Sequence, residues 1–166
     1  EGEFIPLKQK NVDTGMGVER TLAVLNGLND DYLTEVWKQI IKEIEHLSGK
    51  SYEKNKRMMR IIADHIKAAV FIIADGVLPG NTGQGYVLRR LIRRTIVYGK
   101  KLGLIDFAFK IAESVLNIYP DYLELKENKE KILKVLKEEE EKFKKTLMNG
   151  LNMFNKLSEN KKILSD

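Results

Sequence analysis

Four arginines, Arg89, Arg90, Arg93 and Arg94, lie within six consecutive positions of one segment. If the segment is helical, each position advances by about 100°, so the four side chains share an arc of about 140°. The apolar residues between them then face the opposite side and pack inward. Like charges one turn apart repel each other, and the segment holds no acidic residue within one turn to offset this repulsion. Because the planar guanidinium fork matches phosphate, the pattern indicates a bound polyanion.

The charge distribution supports this interpretation but leaves alternatives open. Residues 50–101 contain twelve Lys or Arg and three Asp or Glu, a net charge of +9, whereas the whole chain carries +5. A local basic excess of this kind favours a nucleic acid. Alternatively, the arginines pair with acidic residues of the fold, such as the glutamates at 138–141, or bind an acidic protein. We expect the stretch KEEEEKFKK at 137–145, however, to form a solvated helix face.

A glycine-rich loop leads directly into the arginine helix. It consists of Gly80, Asn81, Thr82, Gly83, Gln84 and Gly85. Glycines let a backbone approach a ligand closely, and the helix start behind them favours anions. Asn and Gln side chains combine a donor with an acceptor, which suits the edge of a base, and duplex RNA presents a wide, shallow minor groove. The plain alternative is an ordinary glycine-rich connection between two helices.

A second group of candidate residues lies near the start of the chain, in the sequence NVDTGMGVER. Gly15 and Gly17 leave space for a flat ligand against the backbone, between an expected strand and an expected helix. Asp13 is suited to bind an ammonium group, and Arg20 a phosphate. By physical reasoning alone this signal is weak, since a turn with two glycines between strand and helix is usually only a turn.

The elements that must position these residues are mainly helical. Residues 4–12 are predicted to be extended or to form one edge strand, which Pro6 interrupts. Apolar spacing and cap residues predict helices at about 16–27, from Asp30 or Asp31 to Ser48, and at about 52–74, 85–102, 106–118 and 123–157. The predicted fold class is therefore mainly α, a bundle-like helical domain with a short β remnant at its N-terminus.

Composition restricts the possible functions. The chain has 166 residues, enough for one domain, or one plus part of another. It contains no cysteine, which excludes disulfides and thiolate zinc sites, and its two histidines are too few for a His-rich metal site. We expect no membrane span and no signal peptide. We also expect the protein to be cytoplasmic.

Two long stretches resemble one known family. Class II synthetases have a third signature motif, and NVDTGMGVER is similar to the version of it found in the alanyl-tRNA synthetases. IIADHIKAAVFIIADGVLPGNTGQGYVLRRLIRR resembles the start of that family's helical tRNA-recognition domain, and KVLKEEEEKFKKTLMNGL in the last helix resembles it more loosely. The order and spacing of the stretches also agree with the family, and the resemblance covers nearly the whole chain.

The resemblance implies roles for individual residues. Arg20 would contact the ATP phosphates, Gly15 and Gly17 would line the adenylate pocket, and Asp13 would bind the α-ammonium group of alanine. Asn81 would read a guanine–uracil wobble pair in the minor groove of the acceptor stem of tRNA(Ala). The arginines that would lie against the acceptor-stem backbone are Arg89, Arg90, Arg93 and Arg94.

The resemblance also implies a domain division and a partial enzyme. Residues 1–28 would end the catalytic domain, and residues 29–166 would begin the tRNA-recognition domain. Nothing here is similar to the first two class II motifs, the later aspartate-bearing segment or the editing domain. We therefore expect a fragment of an enzyme that uses ATP with Mg²⁺, with no cofactor tightly bound to the fragment itself and no membrane or DNA partner. The competing interpretation is a free-standing helical RNA-binding module without catalytic activity.

Overall fold

The structure is a computed structural model that describes residues 2–3, 5–12 and 14–158. This part of the chain forms seven α-helices and one short 3₁₀ turn. They are α1 (Val18–Leu25), the 3₁₀ turn (Asp31–Leu33), α2 (Glu35–Ser48), α3 (Tyr52–Ala74), α4 (Gly83–Leu102), α5 (Ala108–Ile118), α6 (Leu123–Glu127) and α7 (Lys129–Ser158). None of these helices is long and apolar enough to cross a bilayer.

Helix α3 is the centre of the packing. It contacts α2, α4, α5, α6 and α7, and its most extensive contact is with α4. Ile62, Ile66 and Ile73 are fully buried along α3, as are Leu88 and Ile92 on the inner face of α4. Helices cover the apolar half of α3 on several sides, and none of the residues 68–74 is exposed.

Glycines end two of the central helices. Gly49 follows α2 with φ +63° and Gly103 follows α4 with φ +84°, the left-handed conformation that favours glycine. Gly99 serves another purpose, since a Cβ atom there would lie 2.0 Å from the ring of Phe107. The ring of Phe107, the residue before α5, therefore packs directly on the backbone of α4.

The predicted β remnant is wrong for the residues that the structure describes. Residues 5–12 form no strand there and are exposed throughout. A single strand leaves its backbone N–H and C=O groups without partners, and no second segment among the described residues supplies them. Phe4, where the predicted strand began, lies outside the described residues.

The last predicted helix is two helices instead of one. The chain leaves helical geometry at Asn128, where α6 ends and α7 begins. The Asn128 side chain donates to the Glu124 carbonyl at 2.9 Å, and its own carbonyl accepts from the Ile132 N–H at 2.9 Å. An asparagine that bonds to the local backbone in this way competes with a continuous helix. The predicted ends of α3 are confirmed, whereas α1 and α5 begin two residues later than predicted.

Candidate functional site

The loop before α4 has a conformation that only glycine permits. The Gly80 N–H donates to the Gly85 carbonyl at 2.9 Å, so the loop closes on the first turn of the helix. A Cβ atom on Gly85 would lie 2.6 Å from the Leu78 carbonyl oxygen, and Gly83 has φ +54°. The glycines therefore fix the shape of the loop, and that shape leaves Asn81 exposed.

Helix α4 turns an apolar side inward and a basic side outward, as its sequence predicts. Leu88, Ile92 and Thr95 are fully buried. Arg90 and Arg94 are exposed, and neither forms a salt bridge within the part of the chain that the structure describes. These two guanidiniums are the members of the arginine set that are available to a partner in solution.

Two tyrosines lie on the same side of α4 as the exposed arginines. The ring of Tyr86 has the guanidiniums of Arg89 and Arg90 at 5.5 and 5.7 Å from its centroid. The Tyr98 ring has Arg94 at 5.9 Å and the Lys101 ammonium at 5.2 Å. Cation–π contacts of this kind hold long side chains in place. The arginine pattern did not point to the tyrosines, although their four-residue spacing from Arg90 and Arg94 places them on one helical row.

Arg93 differs from the rest of the set because it is paired inside the fold. Its Nε atom donates to Glu139 Oε1 at 2.7 Å, and its guanidinium lies 5.0 Å from the Phe143 ring. The Glu139 side chain is 7% exposed. For Arg93 the alternative of an internal salt bridge with the glutamates at 138–141 therefore holds, and this arginine joins α4 to α7.

The glutamate stretch on α7 is only partly solvated, so the expectation for it is wrong at two positions. Glu139 and Glu140 are 6% and 1% exposed. The two carboxylate oxygens of Glu140 accept from the Phe107 and Ala108 N–H groups at 3.3 and 3.0 Å, and Lys144 lies 3.2 Å away. The first N–H groups of a helix have no partner within it, so a buried helix start needs such an acceptor.

The N-terminal candidates are only partly described. Asp13 lies outside the described residues. Gly15 and Gly17 are exposed, and Gly17 caps α1. The Arg20 side chain is 85% exposed, with its Nε 3.8 Å from a carboxylate oxygen of Asp31. Arg20 is therefore available to an anion.

Arg20 lines a cleft that none of the α4 arginines reaches. The cleft has a volume of about 490 Å³, and its walls are residues of α1, the 3₁₀ turn, α2 and α3. The structure thus brings Gly17 and Arg20 together on one side of the cleft, and Asn81 and Arg89 together on the loop and α4. These are two separate groups of candidate residues.

A partly buried lysine attaches α1 to the helical body. Lys67 of α3 donates to Glu19 Oε1 at 2.6 Å, and its ammonium lies 4.3 Å from the Trp37 ring centroid. The hydrogen bond from Lys67 lowers the pKa of the Glu19 carboxyl. Burial opposes the charge on Lys67, but hydrogen bonds with Glu19 and Tyr119 raise its pKa overall. This contact fixes the helix that carries Arg20.

A second polar network connects the chain before α2 with α3. The Tyr52 hydroxyl donates to Asp30 Oδ2 at 2.8 Å, and Arg60 donates to the same oxygen at 2.6 Å. Asp30 also accepts from the Tyr32 N–H, as expected of a cap residue. Burial and the contact with Asp30 raise the pKa of Tyr52 to about 12. Arg60 is thereby a structural cation of the basic central region, and its charge is neutralised within the fold.

His65 lies on α3, half-buried. Its Nε2 atom is buried and has no hydrogen-bond partner among the described residues. Burial lowers the pKa of His65, the positive charge of Arg94 lowers it further, and Asp64 opposes the shift.

Comparison with known proteins places the chain in a family. Residues 1–166 match the family described as tRNA synthetases class II (A). The alanine–tRNA ligase of Borreliella afzelii (strain PKo) is 53% identical over 166 residues, 96% of this chain and 28% of the relative. That of Desulfosudis oleivorans is 46% identical over 93% of the chain and 18% of the relative. That of Pediococcus pentosaceus is 41% identical over 98% of the chain and 19% of the relative.

The match includes both groups of candidate residues, the N-terminal one and the one on α4. It therefore does not favour a free-standing RNA-binding module. The chain spans 28% of the length of the first of these relatives. Because the family match extends over residues 1–166, the chain belongs to the class II (A) tRNA synthetases.

Proposed function

We propose that this chain is part of an alanine–tRNA ligase, which activates alanine with ATP and attaches it to tRNA(Ala) in the cytoplasm. In this proposal, residues 1–28 complete the catalytic domain and residues 29–166 begin the tRNA-recognition domain. The relatives named alanine–tRNA ligase support it, with 53% identity over 96% of the chain in one of them.

The loop and outer side of α4 are proposed to hold the acceptor stem. The observation that carries this assignment is the exposed Asn81 at the start of a helix whose outward row bears Arg90 and Arg94. Arginine side chains meet phosphates regardless of sequence, whereas an amide is able to read the edge of a base. Arg93 contributes by fixing α4 against α7, and its contact with the RNA backbone is not part of the proposal.

The N-terminal group is proposed to serve the nucleotide. The Arg20 side chain is 85% exposed, and its one ion pair with a described residue is the 3.8 Å contact with Asp31, so it is free to turn towards a phosphate. Within the part of the chain that the structure describes, a Cβ atom on Gly15 would meet nothing within 4 Å, and at Gly17 only the Arg20 side chain lies that near. The glycines thus leave the backbone accessible, which a bound adenylate requires. Asp13 keeps its proposed role towards the ammonium group of alanine, and Mg²⁺ would accompany the ATP.

Binding of acceptor-stem minihelices to this chain tests the proposal. Two RNA hairpins are compared, one with the guanine–uracil wobble pair and one with a Watson–Crick pair at that position. We expect tighter binding of the wobble hairpin and a steep loss of affinity with salt, by a log–log slope of roughly one for each phosphate contacted. Equal affinity for the two hairpins contradicts the base-reading role of Asn81, and binding that is independent of salt contradicts the phosphate contacts.

Two substitutions separate the base contact of the interface from its phosphate contacts. Asn81→Ala is expected to reduce the discrimination between the two hairpins more than the overall affinity. Arg90→Ala is expected to weaken both hairpins alike and to decrease the salt slope by about one. Alanyl-adenylate formation is expected only in the whole enzyme, so detectable adenylate with this chain alone contradicts the assignment of residues 1–28 as a partial active site.

A further inference from the structure

A hydrogen bond between Arg89 and Asn81 sets the orientation of the Asn81 side-chain amide. Arg89 Nη1 donates to Asn81 Oδ1 across the start of α4. A guanidinium carries five donors and no acceptor, so only the oxygen end of an amide is able to face it favourably. The amide of Asn81 therefore has its carbonyl turned towards the protein and its NH₂ group on the other side.

From this geometry we propose that Arg89 is a positioning residue, which orients the amide of Asn81 so that its NH₂ group meets the RNA. The inference rests on the proposed function, since it concerns how the same loop reads a base pair. It also changes the expected role of Arg89, which becomes a residue that acts through Asn81 in addition to any contact with phosphate.

Arg89 is held well enough to orient its partner. Its side chain is half-buried, and its guanidinium lies 5.5 Å from the centroid of the Tyr86 ring. Asn81 in turn lies in a loop that is closed by the 2.9 Å hydrogen bond between the Gly80 N–H and the Gly85 carbonyl. Both ends of the Arg89–Asn81 contact are thus attached to fixed parts of the backbone, which favours one arrangement over free rotation of the amide.

The orientation limits what Asn81 is able to read. An outward NH₂ group donates, so it suits an acceptor on the minor-groove edge, such as a purine N3 or a pyrimidine O2. It does not suit the 2-amino group of guanine, which is itself a donor. Asn81 is therefore assigned to an acceptor atom of the pair, and the amino group of guanine is left to another residue of the enzyme.

Arg90 provides a matched control for Arg89. It is the next residue, carries the same charge and lies at 5.7 Å from the same ring, but the structure gives it no hydrogen bond to Asn81. Arg89→Ala and Arg90→Ala therefore remove the same charge from the same turn of α4. Only Arg89→Ala removes the group that orients the amide.

A double-mutant cycle with the two RNA hairpins tests the proposal. We expect Arg89→Ala to reduce the wobble discrimination to within about twofold of the Asn81→Ala value, because both lose the same oriented donor. Arg89→Ala combined with Asn81→Ala should discriminate no worse than Asn81→Ala alone. Arg90→Ala should weaken both hairpins by a similar factor and leave their ratio unchanged. Arg89→Lys, which keeps one donor group, should restore part of the ratio.

The same cycle contains the result that would overturn the proposal. If Arg89→Ala lowers both affinities alike and keeps the ratio, Arg89 is only a phosphate contact. Replacing guanine by inosine in the wobble pair gives a second check, because it removes the 2-amino group. The effect of Asn81→Ala should be the same with either base, and an effect that disappears with inosine contradicts the outward donor.

A measurement without RNA separates this inference from the proposed function. The side-chain amide of Asn81 gives its own NMR signals, which should move and average in Arg89→Ala but remain in place in Arg90→Ala. Unchanged signals in both variants overturn the positioning role whatever the RNA data show. If those signals respond as expected but wild-type protein binds both hairpins equally, the orientation stands and the proposed base reading fails.

Discussion

The α3–α4 helical hairpin (residues 52–102) and the N-terminal segment through α1 carry the two groups of candidate residues. The two regions differ in how complete they are. In the hairpin, Ile66, Ile73 and Leu88 are fully buried, and the loop closes its own backbone hydrogen bond. In the N-terminal segment, Val12 and Met16 are 92% and 82% exposed, and the described residues supply no partner for an extended backbone. A helix satisfies its hydrogen bonds internally, whereas a strand depends on other segments.

This contrast determines which of the two candidate sites has its shape fixed within this chain. The interface on α4 has its shape fixed by contacts within the described residues, so its binding is testable directly. The N-terminal group has only α1 attached to the helical body, through Lys67 and Glu19. We therefore expect substitutions in the hairpin to change the stability of the chain, and substitutions before α1 to leave it nearly unchanged.

Two glycines provide the sharpest test of this difference. A Cβ atom on Gly99 would lie 2.0 Å from the buried ring of Phe107, whereas one on Gly15 would meet no described residue within 4 Å. Gly99→Ala should lower the free energy of unfolding by about 3 kcal/mol, because a packed core accommodates added volume only by displacing its neighbours. Gly15→Ala should change it by less than about 0.5 kcal/mol. Urea unfolding of the two variants measures both values.

Equal effects of the two substitutions on the free energy of unfolding would contradict the proposed difference in packing between the hairpin and the N-terminal segment. A small loss for Gly99→Ala would mean that the Phe107 ring moves away from α4 at little cost. Gly99→Ala combined with Phe107→Leu is a useful further variant, since the smaller side chain should restore part of the stability if the clash with the ring is the cause.

The arginine set gives a second contrast, between a buried and an exposed member. Arg93→Ala would leave the Glu139 carboxylate, 7% exposed, without its cation. Loss of one partner of a buried pair costs about 3–5 kcal/mol when both are fully buried, and we expect about 2 kcal/mol here because Arg93 is more exposed. Arg90→Ala should cost less than about 0.5 kcal/mol but should weaken RNA binding more. The measurements are thermal unfolding and hairpin affinity on the same variants.

Arg93→Ala/Glu139→Ala is the control for this prediction. Removing both charges should recover part of the stability, since no carboxylate is then left unpaired. If Arg93→Ala instead weakens RNA binding as much as Arg90→Ala while the stability is unchanged, the ion pair opens in the complex and Arg93 belongs to the interface.

The sequence was sufficient to predict the helices of the hairpin and the outward side of α4, because both depend on local periodicity. Arg90 and Arg94 follow directly from that pattern. The pairing of Arg93 with Glu139 joins positions 46 residues apart. The glutamates at 138–141 were candidate partners because of their charge, but local periodicity could not select which arginine pairs with them. The burial of Glu140 depends on where α5 begins, which only the packing of α5 on α7 determines. The β remnant failed because a strand is defined by its neighbours.

Weakening the attachment of α1 tests the N-terminal region, where we expect a smaller effect on stability. Glu19→Gln keeps the shape of the side chain but removes the charge that pairs with Lys67, whose side chain is 14% exposed. We expect a loss of about 1 kcal/mol. The loss should be confined to α1, so hydrogen exchange should accelerate there and not in α3 or α4. Arg20→Ala, at an exposed position of the same helix, is the control and should leave exchange unchanged.

The smallest expected effect is a pH dependence that links the core of the hairpin to its outer face. Burial and the charge of Arg94 lower the pKa of His65 below its ordinary value of 6.5. The unfolded chain then binds a proton first as the pH falls through 6.5, so stability should decrease from there down to the folded pKa and not beyond it. His65→Gln should abolish this slope, and substitution of the exposed His46 should not. A phosphate bound at Arg94 should raise the His65 pKa, which NMR titration with and without the RNA hairpin measures. A pKa that is unaffected by RNA would mean that the phosphates contact α4 elsewhere than at Arg94.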